Sequence, residues 1–380
     1  MKQTTLKLFV LSLFLLASGL FFIRGSHAQQ QGDKPVEQTR KNIQVLKGMP
    51  SSQLGPVMDF ISGSLGVDCT FCHVSTANSL IPEKDDKPEK LIARRMMQMQ
   101  FDINKGNKDI FGTTGAISCY TCHRGQTKPQ VMPKLPQPMI ESGATGEKTE
   151  AAPLPTVDEI LGKYVAAIGG KTAYEKGKSR VWKGVQIMSN GNQPQFELYQ
   201  VAPNKYATIL TTPKNGTFYA GYNGMMGWTK GPRGQRELMG RQLEEMKRAA
   251  DFYSDVNLKV SYPDLTVVGK EKIGDREAYV LVSPINANRT DRLYFDTQTG
   301  LLLRILSVTR TMIGPVPEQT DFEDYRDVDG VKLPFVIRAS FIDPADGWTR
   351  KFTEIKQNIP VDETKFNMPA PSPTPTQTQK

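Results

Sequence analysis

Two copies of Cys-x-x-Cys-His, Cys69-Thr70-Phe71-Cys72-His73 and Cys119-Tyr120-Thr121-Cys122-His123, use all four cysteines of this 380-residue chain and two of its three histidines. The pattern is that of covalently attached c-type haem, in which each cysteine pair forms thioethers to the porphyrin and the following histidine binds the iron. It predicts two c-type haems, on Cys69 and Cys72 with His73 and on Cys119 and Cys122 with His123. The rival readings are weaker. A four-thiolate zinc site leaves the histidine after each pair unexplained, and a thioredoxin-like dithiol needs a preceding strand that neither motif has.

The N-terminus reads as a secretory signal over residues 1–28. Lys2 and Lys7 precede a largely apolar run from Leu8 to Ile23, and Ser26-His27-Ala28 has the small-x-small cleavage pattern. The alternative is a retained anchor, although the sixteen positions of that run fall short of the ~20 that span a bilayer. Export to a periplasmic or other extracytoplasmic, membrane-associated location is expected. Cleavage removes His27 and leaves only His73 and His123, so neither iron can have two histidines. The formal net charge of +9 becomes +6 once Lys2, Lys7 and Arg24 leave. Its cations are interspersed with acids, and no basic stripe interleaved with aromatics supports nucleic-acid binding.

The sixth iron ligands must then come from elsewhere. A helix before the first motif, with Ser51 or Ser52 as N-cap and Gly66 as terminator, carries Leu54, Val57, Met58, Ile61 and Leu65 on one stripe. Before the second motif, Ile92, Met96, Met99 and Ile103 share a helical face, and Met97 is rotated off it. Met58 is the candidate for the first iron. Either Met96 or Met99 suits the second.

Composition divides the mature chain into a mainly α dihaem domain (29–128), a proline-rich linker (129–155) that leaves the flanking domains free to move, a β-rich domain (156–369) and a low-complexity tail (370–380). Thr156 and Glu159 form a capping box ahead of a helix ended by Gly169-Gly170. Strand patterns follow over 181–188, 195–201, 206–210, 217–222, 278–283, 291–295, 301–309 and 331–341, joined by turns such as Asn190-Gly191 and Asp329-Gly330. A second helix is expected near Arg236–Tyr253. The fold class is α+β, a curved antiparallel sheet resembling an open barrel with two helices on one face. Its Asp and Glu residues read as surface and turn residues.

Several segments in order, Lys41-Asn-Ile-Gln-Val-Leu-Lys-Gly-Met, Met58-Asp-Phe-Ile-Ser-Gly-Ser-Leu-Gly-Val-Asp-Cys, Ala93-Arg-Arg-Met-Met-Gln-Met and Ser118-Cys-Tyr-Thr-Cys-His-Arg-Gly-Gln, resemble the photosynthetic reaction-centre cytochrome c subunit over residues 39–128. The resemblance implies a repeated helix–turn–motif unit whose helix methionine is the sixth ligand, which maps to Met58 and Met96, with Met99 the runner-up. That family has four haems, one bis-histidine; this chain resembles half of it. The β-rich domain is similar to periplasmic lipoprotein-carrier proteins, through Tyr222-Asn-Gly-Met-Met-Gly-Trp and Leu293-Tyr-Phe-Asp-Thr-Gln-Thr-Gly. That likeness implies a lipid or quinone ligand. The expected function is single-electron transfer between redox partner proteins, among them a membrane complex, with no enzymatic activity. A peroxidase-type haem enzyme with an open sixth site, and an apolar-ligand-binding protein with accessory haems, are the alternatives.

Overall fold

A computed structural model describes residues 33–76, 79–111, 117–129, 153–213, 216–232 and 234–369. The signal segment, most of the proline-rich linker and the tail lie outside them. Among the described residues no helix is long and apolar enough to cross a membrane.

The N-terminal part is built on helices α1 (Leu54–Leu65), α2 (Cys69–Cys72), α3 (Pro88–Gly106) and α4 (Cys119–His123). Helix α1 ends as its sequence predicts, with Gly66 in the left-handed conformation at φ 67°. Its start differs. Residues Ser51–Gln53 form a 3-10 turn, neither serine caps α1, and the Ser52 backbone N–H donates instead to Asp33 at 3.2 Å. The apolar stripe of α1 buries Val57 and Phe60 against Val36, Leu46 and Met49.

The C-terminal part begins with α5 (Val157–Ala167). The Thr156 hydroxyl accepts from the Glu159 N–H at 3.2 Å, and the Glu159 carboxylate accepts from the Thr156 N–H at 2.7 Å, so two otherwise unpaired donors of the first turn are satisfied. Thirteen strands follow in one sheet. They are β1 (Ser179–Met188), β2 (Gln195–Val201), β3 (Lys205–Thr212), β4 (Gly216–Tyr222), β5 (Gly227–Gly231), β6 (Gly234–Glu237), β7 (Thr266–Ile273), β8 (Arg276–Asn286), β9 (Arg289–Asp296), β10 (Leu302–Thr311), β11 (Gly314–Val328), β12 (Val331–Phe341) and β13 (Trp348–Gln357).

Each strand pairs antiparallel with its chain neighbour, except that β6 and β7 lie at opposite edges and β13 closes onto β1. A single crossover therefore separates two meanders. It contains α6 (Gly240–Ala250), shorter than the helix expected near Arg236–Tyr253 because Arg236 and Glu237 belong to the edge strand β6 and the helix ends at Ala250. The sheet is curved and unclosed. One face packs on α5: Ile160, Leu161, Tyr164 and Ile168 meet Trp182, Phe196, Phe295, Leu333 and Phe352 in one buried cluster. Tyr164 and Phe295 make an edge-to-face contact at 5.2 Å between ring centres, and Trp182 with Phe352 another at 4.9 Å.

Not all acids are surface residues, contrary to the sequence expectation. Asp291, Asp296 and Asp321 are buried at 1, 3 and 8% exposure. Each is matched by an arginine: Arg289 at 2.8 Å, Arg276 at 2.7 Å and Arg304 at 2.6 Å. Burying a carboxylate demands such a partner, and here the arginines come from the same or neighbouring strands.

The two parts share a hydrophobic cluster. The tip of the β10–β11 hairpin sends Ile313, with no exposed surface, and Val316 against Val57, Phe60 and Met97. Proline-rich composition had suggested freely moving domains; this apolar contact, remote in sequence, ties them.

Candidate functional site

Both cysteine motifs form a short helical turn, but they end differently. Asp68 caps α2, its carboxylate accepting from the Thr70 N–H at 2.7 Å. One helical turn puts Cys69 and Cys72 on a common face, and His73 leaves the helix in an extended conformation with its N–H on the Cys69 carbonyl at 3.0 Å. At the second motif the Ser118 N–H donates to Thr121 Oγ1 at 3.0 Å, and Arg124, at φ 49°, ends α4. Gln100 and Asn104 of α3 both donate to the Ile117 carbonyl at 2.8 Å, fastening the entry to α4.

Each triplet lines its own cavity. Cys69, Cys72, His73 and Met58 border a space of about 430 Å³. Cys119, Cys122, His123, Met96 and Met99 border one of about 310 Å³. Both fall in the size class of small-molecule and cofactor clefts, and both are walled largely by aliphatic side chains. Ile61, Leu65, Cys72, Ala93 and Met97 border both, so a single protein wall separates them.

The methionines divide as helix geometry requires. Met97 is buried in the shared cluster at 8% exposure, which places the opposite face of α3 outward. There Ile92, Met96 and Met99 are 53, 44 and 50% exposed at the mouth of the second cavity. An uncovered apolar stripe bordering an apolar cleft is what a flat, greasy group would cover.

The histidines are poised to give a nitrogen lone pair. His123 Nδ1 lies 2.9 Å from the Gln126 carbonyl oxygen. A carbonyl only accepts, so Nδ1 carries a hydrogen, and the tautomer with its lone pair on Nε2 is the neutral form that fits this contact. His73 Nδ1 is buried without a partner. Burial first, and then the charge of Lys90, pushes the His73 imidazolium below the usual histidine range, which favours the neutral ring.

The thiols point away from dithiol redox chemistry. Burial raises the Cys69, Cys72 and Cys119 thiols above the ordinary cysteine range, with Asp59 adding to the effect at Cys69 and Glu89 at Cys72. A reactive dithiol needs the opposite shift. Among the described residues no three His, Cys, Asp or Glu side chains converge on a point that could hold a metal ion. The four-thiolate zinc reading thus finds no geometry to support it.

The two motif units are locked together at a glycine pair. The Gly125 N–H donates to the Ser64 carbonyl at 2.8 Å, and a side chain on Gly66 would collide with the Gly125 carbonyl. Sequence reasoning read Gly66 only as a helix terminator; its second duty, a close approach across sixty residues of chain, leaves no local signal.

Comparison with known proteins picks out the stretch that holds both cysteine motifs. Residues 22–157 match the photosynthetic reaction centre cytochrome C subunit family. Cytochrome c-554 of Chloroflexus aurantiacus is 34% identical over 93 residues, covering 22% of this chain and 20% of that protein. The photosynthetic reaction center cytochrome c subunit of Roseobacter denitrificans is 27% identical over 114 residues, 29% of this chain and 30% of that protein. The chain thus spans under a third of the length of these curated relatives. Its β-rich part is similar to a putative outer membrane lipoprotein-sorting protein domain from Vibrio parahaemolyticus, at 13% identity and TM-score 0.41 over 55% of this chain and 95% of that one.

Proposed function

We propose that the chain is an exported electron-transfer protein carrying two covalent c-type haems, which would supply reversible one-electron chemistry. Cys69 and Cys72 would hold one, with His73 on the iron, and Cys119 and Cys122 the other, with His123. The observation that carries this reading is that each Cys-x-x-Cys-His turn borders an apolar cleft which a helix methionine also borders. Soft thioether sulfur suits low-spin iron, so Met58 is assigned to the first iron and Met96 to the second, with Met99 the alternative.

The chain's residues contribute binding and environment. Aliphatic walls from Ile61, Leu65, Ala93 and Met97 would keep water off one side of a haem in either cleft, and the Gln126 carbonyl orients His123 through Nδ1. No side chain here is asked to move a proton, so the protein is read as a carrier of electrons between redox partners outside the cytoplasm and not as an enzyme. The sheet is read as a support. Its helix-covered face is filled by aromatic and aliphatic side chains, which favours a scaffold over a lipid or quinone carrier.

The test is removal of one attachment site. Cys69→Ala with Cys72→Ala, expressed with a c-type haem maturation system, should yield protein holding one covalent haem by intact mass. Two covalent haems in that variant would overturn the assignment.

A further inference from the structure

We propose that the half-buried Lys90–Asp85–Arg94 cluster sets the reduction potential of the haem on Cys69 and Cys72 above that of the haem on Cys119 and Cys122. This rests on the dihaem reading above.

Lys90 and Arg94 stand one turn apart on α3 and both line the first cavity. Lys90 is 8% exposed. Its Nζ donates to the carbonyls of Pro82 at 2.7 Å and Lys84 at 2.6 Å, and pairs with Asp85 Oδ1 at 2.8 Å. Arg94 Nη1 pairs with Asp85 Oδ2 at 2.8 Å, and its Nη2 donates to the Asn42 carbonyl at 3.2 Å. The Asn42 amide closes the ring by donating to Asp85 Oδ1 at 2.9 Å. Two fixed cations face one carboxylate, which leaves one uncompensated positive charge held against the cavity by backbone carbonyls.

The second cavity has no counterpart. Apart from His123, its charged lining residues are Glu89 and Lys128, one of each sign, with Lys128 in solvent. Further charges border the first cavity, Arg40 and Lys41 against Asp68 and Glu83. All four are exposed and offset one another, and exposed charges are screened far more than buried ones.

Oxidation adds one positive charge to a haem iron. A buried positive charge beside the iron destabilises that oxidised state and so raises the potential. Electrons shared between the two centres should therefore rest on the first. The arrangement gives the pair a direction, with the second motif as the donor side.

A spectroelectrochemical titration of the full haem-loaded protein tests this. The unmodified protein should show two one-electron waves. Lys90→Met should move the upper wave down, raising its oxidised-to-reduced ratio at fixed potential about tenfold, which is 59 mV for a one-electron couple. Asp85→Asn, which keeps the side-chain size and removes the negative charge, should move the same wave up by a similar amount. The lower wave should stay within a twofold change in both. A merely structural role for the cluster predicts shifts of the same sign in the two variants, and that result overturns the proposal, as do unmoved upper waves or a larger shift in the lower one. If Lys90→Met retains only one haem, Asp85→Asn decides: an upper wave that stays or falls is contradictory. Absence of covalent haem from the unmodified protein would instead overturn the dihaem reading itself, and mass spectrometry distinguishes that case.

Discussion

The hairpin tip at Ile313 makes a quantitative test of how the sheet supports the helical part. Ile313 has no exposed surface and packs into the cluster with Val57, Phe60 and Val316. Ile313→Ala removes three carbon atoms, about 2.4 kcal/mol of transfer free energy at ~0.8 kcal/mol per buried methylene. The vacated space sits between α1 and a hairpin, neither free to collapse, because Gly314 is wedged against Ser118 and Phe60. A cavity contribution is therefore added, and a total of about 3 kcal/mol is expected, within the usual range for large-to-alanine changes. The neighbour Met312, 42% exposed at the same tip, is the control; Met312→Ala should change stability by under about 0.5 kcal/mol.

Urea unfolding read by two probes is the assay. All three tryptophans, Trp182, Trp228 and Trp348, lie in the sheet, and far-ultraviolet helicity comes mostly from α1 and α3 of the helical part, with α5 and α6 adding less. The two probes should give coincident transitions in the unmodified protein, because one apolar cluster spans both parts. In Ile313→Ala the midpoint should fall. Equal stabilities for Ile313→Ala and Met312→Ala would refute the argument that this contact couples the parts.

Other outcomes follow from single contacts. Gly66→Ala, at φ 67° and facing the Gly125 carbonyl, should lower stability by roughly 1–3 kcal/mol; a thermal melt within about a degree of the unmodified protein would mean the approach is not tight. Asp85 is held well below the usual carboxylate range, first by its bond to Arg94 and then by those to Lys90 and Asn42. Its ionised form is favoured by folding, so its contribution is full above the unfolded value near 3.9 and is lost as pH falls below it. Denaturation midpoints measured from pH 7 to 3 should therefore drop less in Asp85→Asn than in the unmodified protein, and parallel curves would contradict this. Met58→Ala should turn one haem high-spin or water-ligated and lower its potential, and Met96→Ala should do so to the other; unchanged spectra in Met96→Ala with altered spectra in Met99→Ala would transfer that role to Met99.

What the sequence disclosed was local. A capping box at Thr156 and Glu159 and paired glycines at its end bounded α5, and Gln195–Val201 and Val331–Phe341 carry enough β-branched and aromatic residues to be read to their ends. Five strands were not readable, for separate reasons. Pro315 and Pro317 disguise the start of Gly314–Val328, although both positions pair with β10. Gly269, at φ 150°, interrupts the alternation of Thr266–Ile273. Trp348–Gln357 looks polar because of Arg350, whose guanidinium lies flat over Phe196 and Trp348 at 3.9 and 4.0 Å and so covers apolar surface. Gly227–Gly231 and Gly234–Glu237 are too short and glycine-rich to show a period.

The candidate site divides the same way. Motif spacing alone places each cysteine pair and histidine on one turn, and helical periodicity sets Met96 and Met99 apart from Met97. The glycine contact and the closure of the Lys90–Asp85–Arg94 ring by Asn42 depend on residues brought together from distant positions, and the His123–Gln126 bond, though local, depends on a backbone turn that leaves no mark in composition. A buried lysine in particular reads, in sequence, like any surface lysine.

The account turns on whether this chain carries two covalent haems. The full-length protein, produced with a c-type haem maturation system, should be measured by intact mass under denaturing conditions alongside its reduced pyridine haemochrome spectrum. Two haems per chain, with the absorption of thioether-linked haem, are the predicted result. A mass matching the bare polypeptide, or haem that extracts freely into acidic organic solvent, would contradict the account.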